Sequence, residues 1–380
     1  LKIAVFDYVV TPNNAIGMCV RRMMGSLGQE HDFTLFSCTL DDPLPGRIRW
    51  IQIPAIKRPL ALLYITYHFL AAWQYLTRGM WKKGAYDWVY AVESNFLFAD
   101  VIHAHFCHRW FLQKHWKRCG LSGVRGAFRW IDHALHALFE PFVLRRAKKI
   151  IVPSLGLQRE FTALYPYTAG KIVVISNPVD AAAMARPTDF DRAAYRQKLG
   201  VAPHEIMLNF IAMGQYERKG LPFLLEAMAQ RKDLPCKLVV IGGQPDLIRE
   251  YEARVAKMGI SDRVNFVGIQ KDVRPFLWAS DAFVLPSLYE VFPLVALEAA
   301  AAGCLLMTSP LNGVEEFMVD GENGIQVSAD PAGVIKGLER LAATPPEARQ
   351  RMADGAAQCI RQYTADRYAE DWRKLYTSPR

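Results

Sequence analysis

Short apolar runs alternate with amphipathic stretches from one end of the chain to the other, and few folds tolerate that alternation. A parallel strand buried on both faces reads as a near-continuous apolar run, and it needs a long crossover, usually a helix, to reach its neighbour. The first half offers strands at Lys2–Val9, Phe33–Ser37, Trp88–Ala91, Val101–Phe106, Lys149–Pro153 and Ile172–Ile175. The second half offers Met207–Met213, Lys237–Gly242, Val264–Val267, Ala282–Pro286 and Leu305–Thr308, with helices between them at Leu221–Arg231, Leu247–Met258 and Leu294–Ala302. The fold class this predicts is α/β: two Rossmann-like, doubly wound parallel-sheet domains in series. The 380 residues exceed what one ordinary core holds.

The expected boundary is Ser176-Asn177-Pro178-Val179-Asp180, which gives domains at residues 1–177 and 178–365. A low-order stretch then leads to a helix capped near Thr188 or Asp189. The last segment, 366–380, carries Tyr368, Trp372, Leu375 and Tyr376 at near-helical spacing and is expected to pack back on the first domain. Ligands of such sheets bind outside the carboxyl ends of the strands, so the reading places a site in a cleft between two facing units.

Composition narrows the function classes. Seven scattered cysteines with no C-x-x-C argue against a disulfide framework or a structural zinc, and for a reducing compartment. Leu1–Val10 reads as a strand with no leader before it, so the expected address is the cytoplasm. A net charge of +9 calls for an anionic partner. Nucleic acid is disfavoured, because no helix-turn-helix, finger or RNP signature is present. Pro59–Thr77 carries no formal charge and is flanked by Lys57, Arg58, Arg78, Lys82 and Lys83. Its histidine, glutamine, tyrosines and threonines make it a poor span, which leaves a helix of the domain core, with or without one face on an anionic membrane surface. Arg109, Lys114, Lys117, Arg118, Arg125 and Arg129, beside Trp110, Trp116 and Trp130, form a second basic and aromatic region.

Two constellations carry chemistry. Glu290-Val291-Phe292-Pro293-Leu294 follows a strand and opens a helix that holds Glu298. Free amides and the helix dipole at that end suit a diphosphate, and carboxylates suit paired sugar or ribose hydroxyls. Gly214-Gln215-Tyr216-Glu217-Arg218-Lys219-Gly220 follows another strand. There a guanidinium and an ammonium between glycines suit the same diphosphate. Taken singly, a solvated helix start and an exposed basic turn explain each motif as well.

Their order and spacing resemble the family 4 glycosyltransferases of the GT-B fold. The resemblance continues through Val264-Asn265-Phe266-Val267-Gly268, Asp281–Ser287, Gly313-Val314-Glu315-Glu316 and Asp320-Gly321-Glu322-Asn323-Gly324. It implies that Glu290 contacts the transferred sugar and Glu298 the ribose. The backbone of Val291, Phe292, Pro293 and Leu294 would hold sugar and phosphate, and Gly268 and Ile269 would lie beside the base. Most of the family has an arginine directly after the first glycine of the second motif, where this chain has Gln215. The adjacent Arg218-Lys219 resembles the lipopolysaccharide core glucosyltransferase branch, and the diphosphate role passes to that pair. In the first half Gly17 stands in for a glycine-rich loop approaching the donor phosphates. His105, with His103 as its rival, takes the place of the polar strand-end residue near the reacting sugar.

The implied activity is metal-independent, retaining transfer of a hexose from a nucleotide diphosphate sugar to an envelope-glycan or lipid-linked acceptor. A UDP-sugar is favoured and GDP-mannose is next. No cofactor is expected: Asp189-Phe190-Asp191 spells the carboxylate pair of metal-using transferases but reads better as a helix cap. No G-x-G occurs, which removes the dinucleotide fingerprint, and no Walker motif is present. The alternative is a catalytically weak nucleotide-sugar-binding or membrane-associated scaffold on the same fold.

Overall fold

A computed structural model describes residues 1–119 and 123–378, the side chain of Arg125 excepted. The chain divides into two compact units. One is built from Leu1–Lys117, residues 123–177 and the terminal stretch from Asp366, and the other from Pro178–Ala365 together with Arg118 and Cys119.

In the first unit the strands are β1 (Lys2–Phe6), β2 (Asp32–Ser37), β3 (Arg49–Gln52), β4 (Trp88–Val92), β5 (Val101–His103), β6 (Lys149–Val152) and β7 (Ile172–Val174). They form one sheet in the order β3-β2-β1-β4-β5-β6-β7, parallel at every pairing. The strand expected over Lys2–Val9 is two pieces. Asp7 and Tyr8 interrupt it, and Val9–Val10 pairs instead with Thr39–Leu40 in a separate ribbon. Edge strand β3 escapes a periodicity search because only Ile51 of its four residues is buried.

The terminal helix Ala365–Thr377 belongs to this unit. Tyr368, Trp372, Leu375 and Tyr376 enter the same core as Ile3, Val5, Trp88 and Tyr90. The Tyr368 hydroxyl donates to the carbonyl of Cys19 at 3.1 Å. Each such side chain contributes roughly 1.5–3 kcal/mol by leaving water, so the helix is an integral part of the unit rather than a tail.

The second unit contains β8 (Ile206–Ile211), β9 (Cys236–Ile241), β10 (Val264–Gly268), β11 (Ala282–Leu285), β12 (Leu305–Thr308) and β13 (Ile325–Gln326). Their order is β10-β9-β8-β11-β12-β13, again all parallel. Both sheets therefore reverse direction once, between β1 and β4 in the first and between β8 and β11 in the second. In doubly wound sheets the carboxyl side of that switch point is where ligands bind.

The helix expected to be capped at Thr188 or Asp189 starts later, at Arg192–Lys198. Its cap is Asp191, whose carboxylate accepts from the Ala194 amide at 2.9 Å. Asp180 caps a short helix, Ala181–Met184, in the stretch expected to lack order. Among the described residues no helix is long and apolar enough to cross a membrane. Pro59–Thr77 forms the helix Leu60–Thr77, with Leu63, Tyr64, Tyr67 and Ala71 buried.

Candidate functional site

At the switch point of the second sheet, β8 leads through Met213, Gly214 and Gln215 into the short helix Tyr216–Lys219, and β11 leads through Pro286 and Ser287 to Glu290. These two loops are stitched together. The Leu288 amide donates to the Arg218 carbonyl at 2.8 Å, and the Ser287 hydroxyl donates to the same oxygen at 3.0 Å. Gly220, at φ +82°, permits the approach, because a Cβ there would lie 2.0 Å from the Pro286 carbonyl oxygen.

The consequence is a compact charge cluster. Glu290 Oε1 accepts from Lys219 Nζ at 2.8 Å and from Arg218 Nη1 at 3.1 Å. Arg218 also donates to the Tyr289 carbonyl and, through Nε, to Gln215 Oε1 at 2.7 Å. Gln215 takes the left-handed conformation, φ +56°, which aims its amide back at Arg218. The side chains of Arg218, Lys219 and Glu290 are 12%, 17% and 12% exposed. Burial alone raises the Glu290 carboxyl, but Arg218, Lys219 and Ser287 outweigh it and hold the pKa below the usual carboxylate value. A buried carboxylate thus keeps two cations ordered at the strand ends, the arrangement an incoming diphosphate would meet.

The helix after Glu290 runs Leu294–Ala301. Pro293 is its N-cap, and no side chain caps this end. The first amides of a helix have no intrahelical partner, so this end is electropositive. Val291, Phe292 and Pro293 are buried, while Leu294 and Glu298 are half-buried. Gly313, at φ +84°, leaves room for the Phe292 ring, which a Cβ there would approach to 2.5 Å. Gly214 has open space around it. Gly268 ends β10 at φ +68° and accepts from the Gly242 amide at 2.7 Å, with Ile269 exposed beside it.

Sequence reasoning missed Gly242 and Gly243, at φ +94° and +92° after β9. A Cβ on Gly243 would lie 2.1 Å from the Tyr216 hydroxyl, which donates to the Gly242 carbonyl at 2.8 Å. The adjacent glycines directly after a buried strand were the available signal.

In the first unit Gly17 belongs to the first turn of a helix rather than to a loop. It lies inside the helix Ala15–Leu27, its amide bonded to the Asn14 cap at 2.7 Å, and a Cβ there would come within 1.9 Å of the Val9 carbonyl oxygen. Close packing of helix on strand explains the glycine. His103 is fully buried, bonded to the Tyr90 hydroxyl at 2.6 Å and packed against Trp372, so it belongs to the core. His105 lies past the strand end, half-buried, its ring 4.0 Å from that of His103. Burial depresses its pKa to about 4, with Glu93 pulling the other way. Of the basic region, Arg109 donates to the Ala137 carbonyl and lies over Tyr165, and Lys114 lies over Trp110. The Arg125 side chain lies outside the described residues.

What the sequence did not single out is a buried polar cluster at the first switch point. Asp7 follows β1 and Glu93 follows β4, the latter at a left-handed φ of +48°. Asp7 Oδ1 accepts from the Tyr8 amide at 2.7 Å and from Asn95 Nδ2 at 3.3 Å. Burial, aided by Glu93, pushes the Asp7 carboxyl to about 8 against its hydrogen bonds. Glu93 is likewise raised by burial, with His136 and His105 opposing. His108 Nε2 is 3.1 Å from Glu93 Oε2, and its Nδ1 is 2.9 Å from His133 Nδ1. Glu140 accepts from the amides of His108 and Arg109 and from the Tyr165 hydroxyl. Asp7, Glu93, His108 and His136 are far apart in sequence, and only the tertiary fold assembles them.

Comparison with known proteins agrees with this architecture. Residues 16–183 match the profile described as Glycosyltransferase Family 4, and residues 207–344 match Glycosyl transferases group 1. An uncharacterized glycosyltransferase of Methanocaldococcus jannaschii is 26% identical over 90% of this chain and 89% of its own length. The lipopolysaccharide core biosynthesis glycosyltransferase LpsE of Rhizobium meliloti is 31% identical over 60% of this chain, an alignment that spans only 61% of that protein. The crystal structure of Anabaena HepE in complex with UDP and glucose superposes with a TM-score of 0.74 over the whole of both chains, at 18% identity. With both halves matched and both sheets in the Rossmann order, the chain belongs to the family 4 glycosyltransferases of the GT-B fold.

Proposed function

We propose that this glycosyltransferase moves a hexose from a nucleotide diphosphate sugar, with UDP the favoured nucleotide and GDP-mannose the next candidate, to an envelope-glycan or lipid-linked acceptor with retention of configuration. The observation that carries the donor reading is the Arg218–Lys219–Glu290 cluster beside an uncapped helix end. On entry, the diphosphate takes up the hydrogen bonds of the two cations, and Glu290 turns its oxygens to sugar hydroxyls. The acceptor oxygen attacks the anomeric carbon from the face the diphosphate is leaving. The bond from that carbon to the phosphate oxygen breaks, the bond to the acceptor oxygen forms, and the acceptor proton passes to the departing phosphate. Because charge grows on the diphosphate, a preorganised guanidinium, ammonium and helix dipole supply the stabilisation a metal gives elsewhere. The HepE complex, which holds UDP and glucose on a like fold, supports a UDP-sugar. LpsE, named for lipopolysaccharide core biosynthesis, supports an envelope glycan.

The outer face of the Leu60–Thr77 helix supports an acceptor held at a bilayer. Ile65, Phe69, Trp73 and Leu76 recur along it at three- and four-residue intervals and are each more than half exposed. No Asp or Glu occurs between Asp42 and Asp87, a stretch that contains seven cations. An apolar stripe framed by cations fits an anionic lipid surface.

Calorimetric titration with UDP, GDP and ADP, with and without EDTA, tests the donor assignment. Micromolar binding of UDP, unchanged by EDTA, is the expected result. A folded protein that binds no nucleotide would leave the scaffold reading as the better account. Sedimentation with vesicles tests the surface: capture by phosphatidylglycerol-containing vesicles, lost in Phe69→Asp/Trp73→Asp, supports it, and indifference to those vesicles removes it.

A further inference from the structure

We propose that Gln215 is a positioning residue of the donor site, which holds Arg218 so that its Nη2 edge is left for the diphosphate. This role, which rests on the donor reading above, falls to a neutral side chain where most of the family carries an arginine.

The orientation of the amide follows from chemistry. A guanidinium can only donate, so the Gln215 atom 2.7 Å from Arg218 Nε is the oxygen, Oε1. Arg218 Nη1 donates to the Tyr289 carbonyl and to Glu290 Oε1. Among the described residues nothing accepts from the two N–H groups of Nη2. Tyr289 and Glu290 both hold the same nitrogen, and a planar group held at one corner still turns. Gln215 holds a second nitrogen, and that second point fixes the plane in which Nη2 is presented.

The backbone is committed to this arrangement. Gln215 has φ +56°, and among the described residues Glu93 is the only other non-glycine with a positive φ. A residue with a Cβ avoids the left-handed region unless its surroundings impose it. Here they do. The Gln215 carbonyl accepts from the Lys219 amide at 3.0 Å. Tyr216 is buried and donates to the Gly242 carbonyl at 2.8 Å, and Glu217 accepts from the Tyr251 hydroxyl at 2.8 Å. Glycine would fit this turn with less strain, so a glutamine there points to a use for its side chain.

Neutrality matters as much as reach. Arg218 and Lys219 bring two positive charges and Glu290 one negative, so the cluster keeps one positive charge for an incoming diphosphate. A carboxylate at position 215 would also hold the guanidinium, but it would cancel that remaining charge. An amide orients Arg218 and leaves the charge intact.

Calorimetry with UDP tests the role through Arg218 itself. Gln215→Gly removes the side chain but accepts the left-handed turn, so it should melt no lower than the wild type. Its affinity for UDP should nevertheless fall about tenfold. In an Arg218→Ala background the same substitution should change UDP affinity less than about twofold, because the group being positioned is gone. A merely structural contribution would cost the same in both backgrounds. Equal UDP affinity of the wild type and Gln215→Gly, or an equal loss in the two backgrounds, would overturn the positioning role alone. A folded wild type that binds no nucleotide diphosphate would remove the donor reading and this role with it, so the two failures are distinguishable.

Discussion

At the switch point of the second sheet a buried carboxylate, Glu290, is paired with an arginine and a lysine and stays ionised below the usual range. At the equivalent place in the first sheet Asp7 and Glu93 are just as sheltered but face imidazoles, tyrosines and an asparagine, and both are shifted upward. Strand order and direction are the same in the two sheets up to the switch. The difference lies in the residues that follow the strands. One edge presents fixed positive charge, suited to an anionic leaving group. The other presents neutral imidazoles and protonatable oxygens, suited to hydroxyl groups. A common fold fixes where a ligand goes, and the loop residues decide which kind.

The sharpest way to break that contrast is to remove the positive charge. Arg218→Ala/Lys219→Ala should weaken nucleotide binding at least 100-fold and lower kcat/KM by on the order of 10³-fold. Glu93→Gln should leave nucleotide affinity within about twofold. Calorimetry on both variants reads the two effects directly. If the double variant binds UDP as the wild type does, the diphosphate is held elsewhere and the second switch point is not the donor site.

The second unit was the more legible of the two, for a physical reason. Its candidate site residues follow one another along two short loops, so Arg218-Lys219-Gly220 and Glu290–Leu294 could be read as local motifs. The ends of buried strands at Leu285 and Leu305–Thr308 fixed their place in the sheet. In the first unit β1, β2, β4, β5, β6 and β7 were legible as apolar runs, but the cluster they support was not. Asp7 and Glu93 sit singly at strand ends, and His136 lies on the helix Gly123–Arg146 with no motif around it. Gly17 was read as a loop because a glycine after a first strand has two uses. The use here, a Cβ-free contact with the Val9 carbonyl, depends on a ribbon that local periodicity does not reveal. Polar edge strands β3 and β13 left no apolar signal to find.

A smaller effect separates backbone geometry from charge at the second switch point. Gly220→Ala forces a Cβ against the Pro286 carbonyl at a left-handed φ. That strain costs about 1–3 kcal/mol. The midpoint of thermal unfolding should fall by about 2–4 °C for each kcal/mol in a unit of this size. Gly214→Ala adds its methyl to open space and should leave the midpoint unchanged. Equal melting of the two variants would mean that the stitch between the two loops is not under the tension the contact implies.

The last contrast concerns pH, and it should run in opposite directions at the two edges. Glu290 has a depressed pKa, so its ion pairs stabilise the folded state above the unfolded carboxyl value, and that contribution is lost only as pH falls through the lower folded value. Asp7 is the reverse. The folded state keeps its proton up to about 8, while the unfolded chain releases it near 3.8. Between those values the folded state binds more protons than the unfolded, and the Asp7 contribution declines steadily as pH rises. Asp7→Asn mimics the protonated acid, so it should flatten the fall in stability between about pH 4 and 8 and cost little at the acid end. Urea unfolding at a series of pH values checks this. A variant whose stability keeps the wild-type slope would show that Asp7 ionises freely, and that the first switch point is wetter than its burial indicates.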